Sequence, residues 1–367
     1  MTPYQQVISS TTVELPRPAL REMVRLMRAL YALGHLPAYR ERVLPQLPSV
    51  ARFDPGHDAV MMGYDFHLTE EGPRLIEVNT NAGGGLLAYQ AQYGFKGEGS
   101  TDLDRLQRGF LVSFGEELAR HGRSGLKRVA IIDETPSEQF LYHEMLTYAD
   151  LLQQQGIDAQ VVDPSALQAD ENGVLLQGQT VDLVYNRHCD FYLDSEAMSG
   201  LRAAYLAQKV CLTPNPFVYG LLADKRRMIL WSDPAFLAEL GLSDRGVDLL
   251  LRTVPQSRLL ADVDVEQAWQ QRKQLAFKPV TRFGSRGVLL GRKISRKRFD
   301  ELTPDETLVQ QLVPPSEVTA ENGEVMKADF RLFAYRNRLL GVAARLYQGQ
   351  VTNMRTPGGG YAPVRIV

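Results

Sequence analysis

Cysteine is almost absent from this chain: two of 367 residues, Cys189 and Cys211. They have no metal-ligand spacing, so neither a disulfide framework nor a zinc site is indicated. Histidine is scarce as well, six in all. His188 precedes Cys189, but neighbours on a strand point to opposite faces, which argues against a nucleophile–base pair. No apolar run reaches membrane-spanning length, and MTPYQQVISS lacks a basic segment followed by an apolar one. No membrane span or secretory signal is expected, and a cytoplasmic location is the default. An excess of one charge is also missing. The formal net charge is −2, which gives no electrostatic footprint for nucleic acid. There is no internal repeat and no low-complexity tract.

What is present is apolar content, 44% of the residues, enough for two or three packed domains. Leu20, Met23, Val24, Met27, Leu30 and Tyr31 recur at helical spacing over 19–32. "AVMMGYDFHL", "TEEG" and "RLIEVN" read as a hairpin turning near Gly72. Leu103, Leu106, Phe110, Phe114 and Leu118 mark a helix that stops at Gly122, and the composition changes at "HGRSG". Beyond it, "LKRVAIID", a helix over 137–155 and "DAQVVD" make a βαβ unit of a parallel sheet. The last third is rich in short strands. The fold class is α/β and α+β.

Four stretches carry chemistry. "FKPVTRFGSRGVLLG" puts Lys278 at a strand end, then a loop of Gly284, Ser285, Arg286 and Gly287 whose amides can lie along a phosphate. "LVQQLVPP" ends a strand at Gln310 and Gln311, with Val313 in the turn. "KADFRLFAYRNRLLGVAARLY" places Asp329 and Arg331 on one strand face and Arg345 on the return strand. "TNMRTPGGG" sets Arg355 before a glycine run. Each has a bland reading: a hairpin loop, a strand end, a surface ladder, a tail.

Their order is what counts. It resembles the ATP-grasp superfamily, nearest the glutathione synthetase and D-alanine–D-alanine ligase branch. The resemblance implies a nucleotide between two α+β subdomains, with a parallel-sheet domain on the substrate side. It implies Lys225 and Lys278 on the nucleotide, Gly284–Gly287 as a lid, and Gln310, Gln311 and Val313 beside adenine. Asp329 would hold magnesium, while Arg331, Arg345 and Arg355 would stabilise the transferring phosphoryl group. The family's closing metal strands are missing after the glycine run. "GYDFHL" and "RLIEVN" supply Asp65, Glu77 and Asn79 instead, which implies a circularly permuted chain. Glu77 and Asn79 share a strand face, as two oxygen ligands of one magnesium must. Asp65 is the looser ligand, because Glu77 lies twelve positions further on. The three glycines after Asn81 and Ala82 are expected to let backbone approach a substrate.

The resemblance divides the chain into 1–124 with the metal strands, 125–216 as the parallel substrate-side domain, and 217–367 as lid and central strands. It implies an ATP-dependent carboxylate–amine ligase that uses ATP and Mg2+ and works through an acyl phosphate. Its partners would be a small carboxylate and an amine, with no nucleic acid or membrane and with a possible homodimer. A small-molecule kinase and a non-catalytic nucleotide-binding regulator are the alternatives. Ser137, Glu138 and Arg187 are candidates for substrate contact. His67 is assigned no role.

Overall fold

The computed structural model describes residues 7–93, 101–280 and 287–367, without the side chains of 101–107. It is a mixed α/β protein built on several sheets. The largest has six strands. Gly360–Ala362, Arg338–Tyr347, Val325–Tyr335, Met62–Thr69 and Gly72–Asn79 follow one another across it, and Ser316–Thr319 adds to the Val325–Tyr335 strand. One sheet is therefore shared by residues from both ends of the chain. The ends themselves also pair, Val13–Leu15 running parallel to Val364–Ile366.

Helix Arg17–Gly34 covers this sheet. Pro18 in its first turn costs no hydrogen bond, because that amide would be unpaired anyway. Met23, Leu26, Met27, Leu30 and Leu33 are buried along it and share a core with Tyr64, Phe66, Leu75 and Phe330. A second sheet is wholly parallel, ordered Cys211–Thr213, Leu183–Asn186, Arg128–Ile132, Asp158–Val162. Arg128–Ile132 is buried along its whole length, as a strand covered on both faces must be. A third, small sheet joins Ser257–Leu259, Thr307–Gln311, Leu275–Pro279 and Leu289–Leu290.

The helix expected over 137–155 is shorter. Thr135 sits at φ +39, a short turn follows at Pro136–Glu138, and the helix proper is Tyr142–Gln153. Ser137 and Glu138 therefore lie in the short turn, outside the helix. Among the described residues no helix is long and apolar enough to cross a membrane.

The glycine run also differs from expectation. A Cβ on Gly84 would lie 1.6 Å from the Tyr361 hydroxyl, and one on Gly83 would lie 2.1 Å from a Leu141 methyl. Gly84 is moreover at φ +90. The space the missing side chains leave is filled by the protein's own residues, so the glycines serve close packing between three segments. Arg187, expected to meet a carboxylate, instead donates to the carbonyls of Asn81 (2.9 Å) and Ala82 (3.1 Å). Glu144 accepts from the amides of Gly84 and Leu86 at 2.8 and 3.0 Å, at the N-terminus of helix Gly85–Tyr93 where a carboxylate is favoured.

Candidate functional site

The six-stranded sheet and the small sheet face each other across a cleft. Asp65, His67, Ile76, Glu77, Lys278, Gln310, Val313, Asp329 and Arg345 are in its walls.

Strand pairing explains why such distant residues meet. Arg331 lies opposite Asp65, Asp65 opposite Glu77, and Asp329 opposite Arg345. The twelve-residue gap between Asp65 and Glu77 is thus the length of one hairpin, and the two acids are direct cross-strand neighbours. The hairpin contains a bulge. The register steps from Asp65–Glu77 to Phe66–Leu75, leaving Ile76 as the extra residue. An extra residue in one strand re-aims the side chains beyond it. Here it leaves Arg74 opposite His67, so residues three apart on one strand both accompany a same-face pair on the other. The Ile76 carbonyl, out of step with the ladder, accepts from Lys278 Nζ at 3.2 Å.

Lys278 is buried at the end of Leu275–Pro279 and also donates to Gln310 Oε1 at 2.6 Å. Gln310 in turn donates to Ser257 Oγ at 3.0 Å. Burial pushes the Lys278 ammonium down to about 8, with Lys225 adding to the shift and Glu77 and Asp65 opposing it. A buried ammonium pushed down by a second lysine favours an anion beside it.

The acids are heavily engaged. Arg331 grips Asp65 with both Nε (2.6 Å) and Nη2 (2.7 Å) and donates Nη1 to the Gly83 carbonyl at 3.1 Å. Arg345 bridges Asp329 (Nε, 2.5 Å) and Asp65 (Nη2, 2.9 Å). Thr352 donates to the other Asp329 oxygen at 2.6 Å. Burial raises the Asp65 pKa, but the two guanidiniums win and hold the carboxyl far below the usual carboxylate range. Glu77 is less committed, accepting from Asn79 at 3.3 Å; Asn79 also reaches Asp65 at 3.5 Å. Among the described residues no three His, Cys, Asp or Glu side chains come together to hold a metal. Magnesium commonly uses only one or two carboxylates and takes its other ligands from phosphate and water. By that measure Glu77 and Asn79 fit such an ion, and Asp65, both oxygens on arginine, does not.

The other predicted positions differ in how near they lie to this group. Arg355 is exposed, its guanidinium 5.3 Å from the centre of the Phe140 ring, and it is not in the cleft wall. Gln311 lines the cleft at its exposed edge and accepts from Arg74 at 3.3 Å. Gly284, Ser285 and Arg286 lie outside the described residues, and Gly287 is exposed at φ +77. Lys225 follows the buried Asp224, whose carboxylate is held by Arg226 and by the Tyr192 hydroxyl.

His67 and Thr352 were missed. His67 donates Nδ1–H to the Val313 carbonyl at 2.7 Å. The alternation Asp65-x-His67 was the available signal, since it puts both on one face.

No family model and no curated protein matches the chain. Solved structures do. The fold is similar to that of a glutathione synthetase-like effector from Globodera pallida in its apo form. That match has TM-score 0.63 and 12% identity, over 98% of this chain and 90% of the other. It is also similar to a candidate gamma-glutamylcysteine synthetase from Methylobacillus flagellatus. There the TM-score is 0.55 and the identity 11%, over 97% and 89% of the two chains. These likenesses correct the resemblance drawn from the sequence. Both run end to end along this chain, one to a glutathione synthetase-like effector and one to a candidate gamma-glutamylcysteine synthetase, and the assignment to the ATP-grasp superfamily with a circular permutation is withdrawn.

Proposed function

We propose that the protein is an ATP-dependent carboxylate–amine ligase, forming an amide through an acyl phosphate and releasing ADP and phosphate. The observation that carries the reading is the single cleft in which Glu77 from the beginning of the chain meets Lys278, Asp329 and Arg345 from its last third. The likeness to synthetase folds supports it. Likeness alone would not suffice, because function belongs to sites rather than folds.

Chemically, a substrate carboxylate attacks the γ-phosphorus of ATP, and an amine then displaces phosphate from the acyl carbon. Lys278 and Lys225 hold phosphate oxygens. Arg345, anchored through Asp329 and Asp65, meets the charge that develops during transfer. Arg331 is the brace that fixes Asp65 to the Gly83 loop. Arg355 stands outside this set. Asp65, Glu77 and Asp329 are balanced by Lys278, Arg331 and Arg345, so a triphosphate brings negative charge that this group does not itself offset. Magnesium, held by Glu77 and Asn79 with Asp329 beside them, would supply that compensation. No side-chain nucleophile is needed; the protein contributes position and dryness. Residues 1–124 and 217–367 build the nucleotide side, and 125–216 faces the substrates.

The test is incubation with MgATP and pools of amino acids and small carboxylic acids, following ADP and new amide mass together. ADP with an amide supports ligation. A stable phosphorylated product would make the protein a kinase, and nucleotide binding without turnover a regulator.

A further inference from the structure

His67 is a half-buried histidine in the cleft wall, and the mechanism above gives it no task. Its geometry is unusually determined. A carbonyl oxygen can only accept, so the 2.7 Å contact with Val313 fixes the proton on Nδ1. In the neutral ring Nε2 then carries a lone pair, and it makes no hydrogen bond with any described residue. Burial lowers the ring's pKa, and Lys278 and Arg345 push the same way, against Asp329 and the Val313 bond.

The surroundings say what this acceptor faces. Val313 lies in the segment that leads out of Thr307–Gln311 and crosses to the six-stranded sheet. The Met62–Asn79 hairpin holds that segment at three points: His67 on Val313, Arg74 on Gln311, and the Leu68 carbonyl accepting from Ser316 Oγ at 2.9 Å. Nearby, Ile76, Ala276, Val288, Leu290, Leu312 and Val313 line the cleft. These side chains form an apolar patch suited to a flat heterocycle, in the same cleft as Lys278. An unfilled acceptor in a cleft wall is matched by an N–H or O–H donor on the ligand.

We propose that His67 is a positioning and specificity residue of the nucleotide site, whose Nδ1–H pins the Val313 crossing while Nε2 accepts from a donor on the nucleoside. The proposal rests on the nucleotide-dependent reading above. Two donors have the required chemistry, the 6-amino group of adenine and a ribose hydroxyl.

The experiment measures binding and turnover of ATP, inosine triphosphate and 2′-deoxy-ATP in the wild type, His67→Asn and His67→Phe. Inosine triphosphate lacks the amino group and deoxy-ATP the hydroxyl. The wild type is expected to discriminate against one of them by about tenfold. In His67→Asn the amide can still donate to Val313 but no acceptor reaches the Nε2 position, so the discrimination should vanish with ATP turnover number nearly kept. In His67→Phe both contacts go, and KM for ATP should rise about tenfold or more, again with little change in kcat. Unchanged discrimination in both variants, with ATP still bound, would overturn the role of His67 and leave the ligase reading standing. Wild-type protein that binds none of the three would overturn both.

Discussion

Two buried polar clusters in this molecule make an instructive pair. In one, His57 Nδ1 meets Glu117 at 3.0 Å, Tyr335 donates to the other Glu117 oxygen at 2.9 Å, and the Cys211 sulfur lies 3.9 Å from His57 Nε2. The other is the Asp65–Arg331–Arg345–Asp329–Lys278 group. Both draw on distant parts of the chain and both contain charge. The first is sealed: His57 and Glu117 side chains are 0% exposed, and Glu117 has a partner on each oxygen. The second opens on a cleft and keeps capacity to spare, in Glu77, Lys278 and His67. Buried polar groups that satisfy one another hold a fold together. The same groups beside a cavity, with bonds still to make, are built for a ligand.

The comparison breaks most sharply at Lys278. Lys278→Ala is expected to lower turnover by about 10²–10³-fold, the scale of losing one preorganised charge contact, while the thermal midpoint stays near the wild type's. Glu117→Ala should do the reverse. It leaves His57 and Tyr335 buried without their acceptor, costing about 3–5 kcal/mol, visible as a lower urea midpoint with KM for ATP unchanged. If Glu117→Ala instead altered KM and spared stability, the sealed cluster would belong to the site. A smaller effect concerns pH. Because burial has brought the Lys278 ammonium down to about 8, its charge is present below that pH and lost above it. Nucleotide affinity should therefore fall as pH rises through about 8, and Lys278→Arg, whose charge persists, should flatten that limb. The least effect is expected at Arg355, where Arg355→Ala should leave turnover within about twofold, since its contact is Phe140.

Much of this was legible in the sequence because it depends on local pattern. The Arg17–Gly34 helix, the Gly72 hairpin, the parallel strands and the Asp329–Arg345 hairpin all follow from periodicity and turn residues. What was not legible depends on pairing between remote segments. Nothing in "RLIEVN" announces that Ile76 is a bulge, yet the bulge sets which side chains join Glu77 and frees a carbonyl for Lys278. Arg331 looked like a phosphate contact because an arginine on a strand is the same symbol whether its donors are free or spent; here all three directions are taken by Asp65 and Gly83. The glycines of 83–85 looked like room for a ligand, and Tyr361, nearly three hundred residues later, fills that room. His67 was passed over because its partner is a backbone carbonyl, which no side-chain pattern reveals. The resemblance failed in a related way: motif order reports which chemistry is present, whereas the synthetase likeness rests on how whole segments pack.

The most direct measurement is a binding cycle on MgATP with the wild type, Glu77→Gln, Lys278→Met and the double variant. If an acid from the first hairpin and a lysine from the small sheet serve one nucleotide, the two losses will be non-additive by about 0.5–3 kcal/mol. Strictly additive losses, or binding untouched by either change, would contradict a shared site.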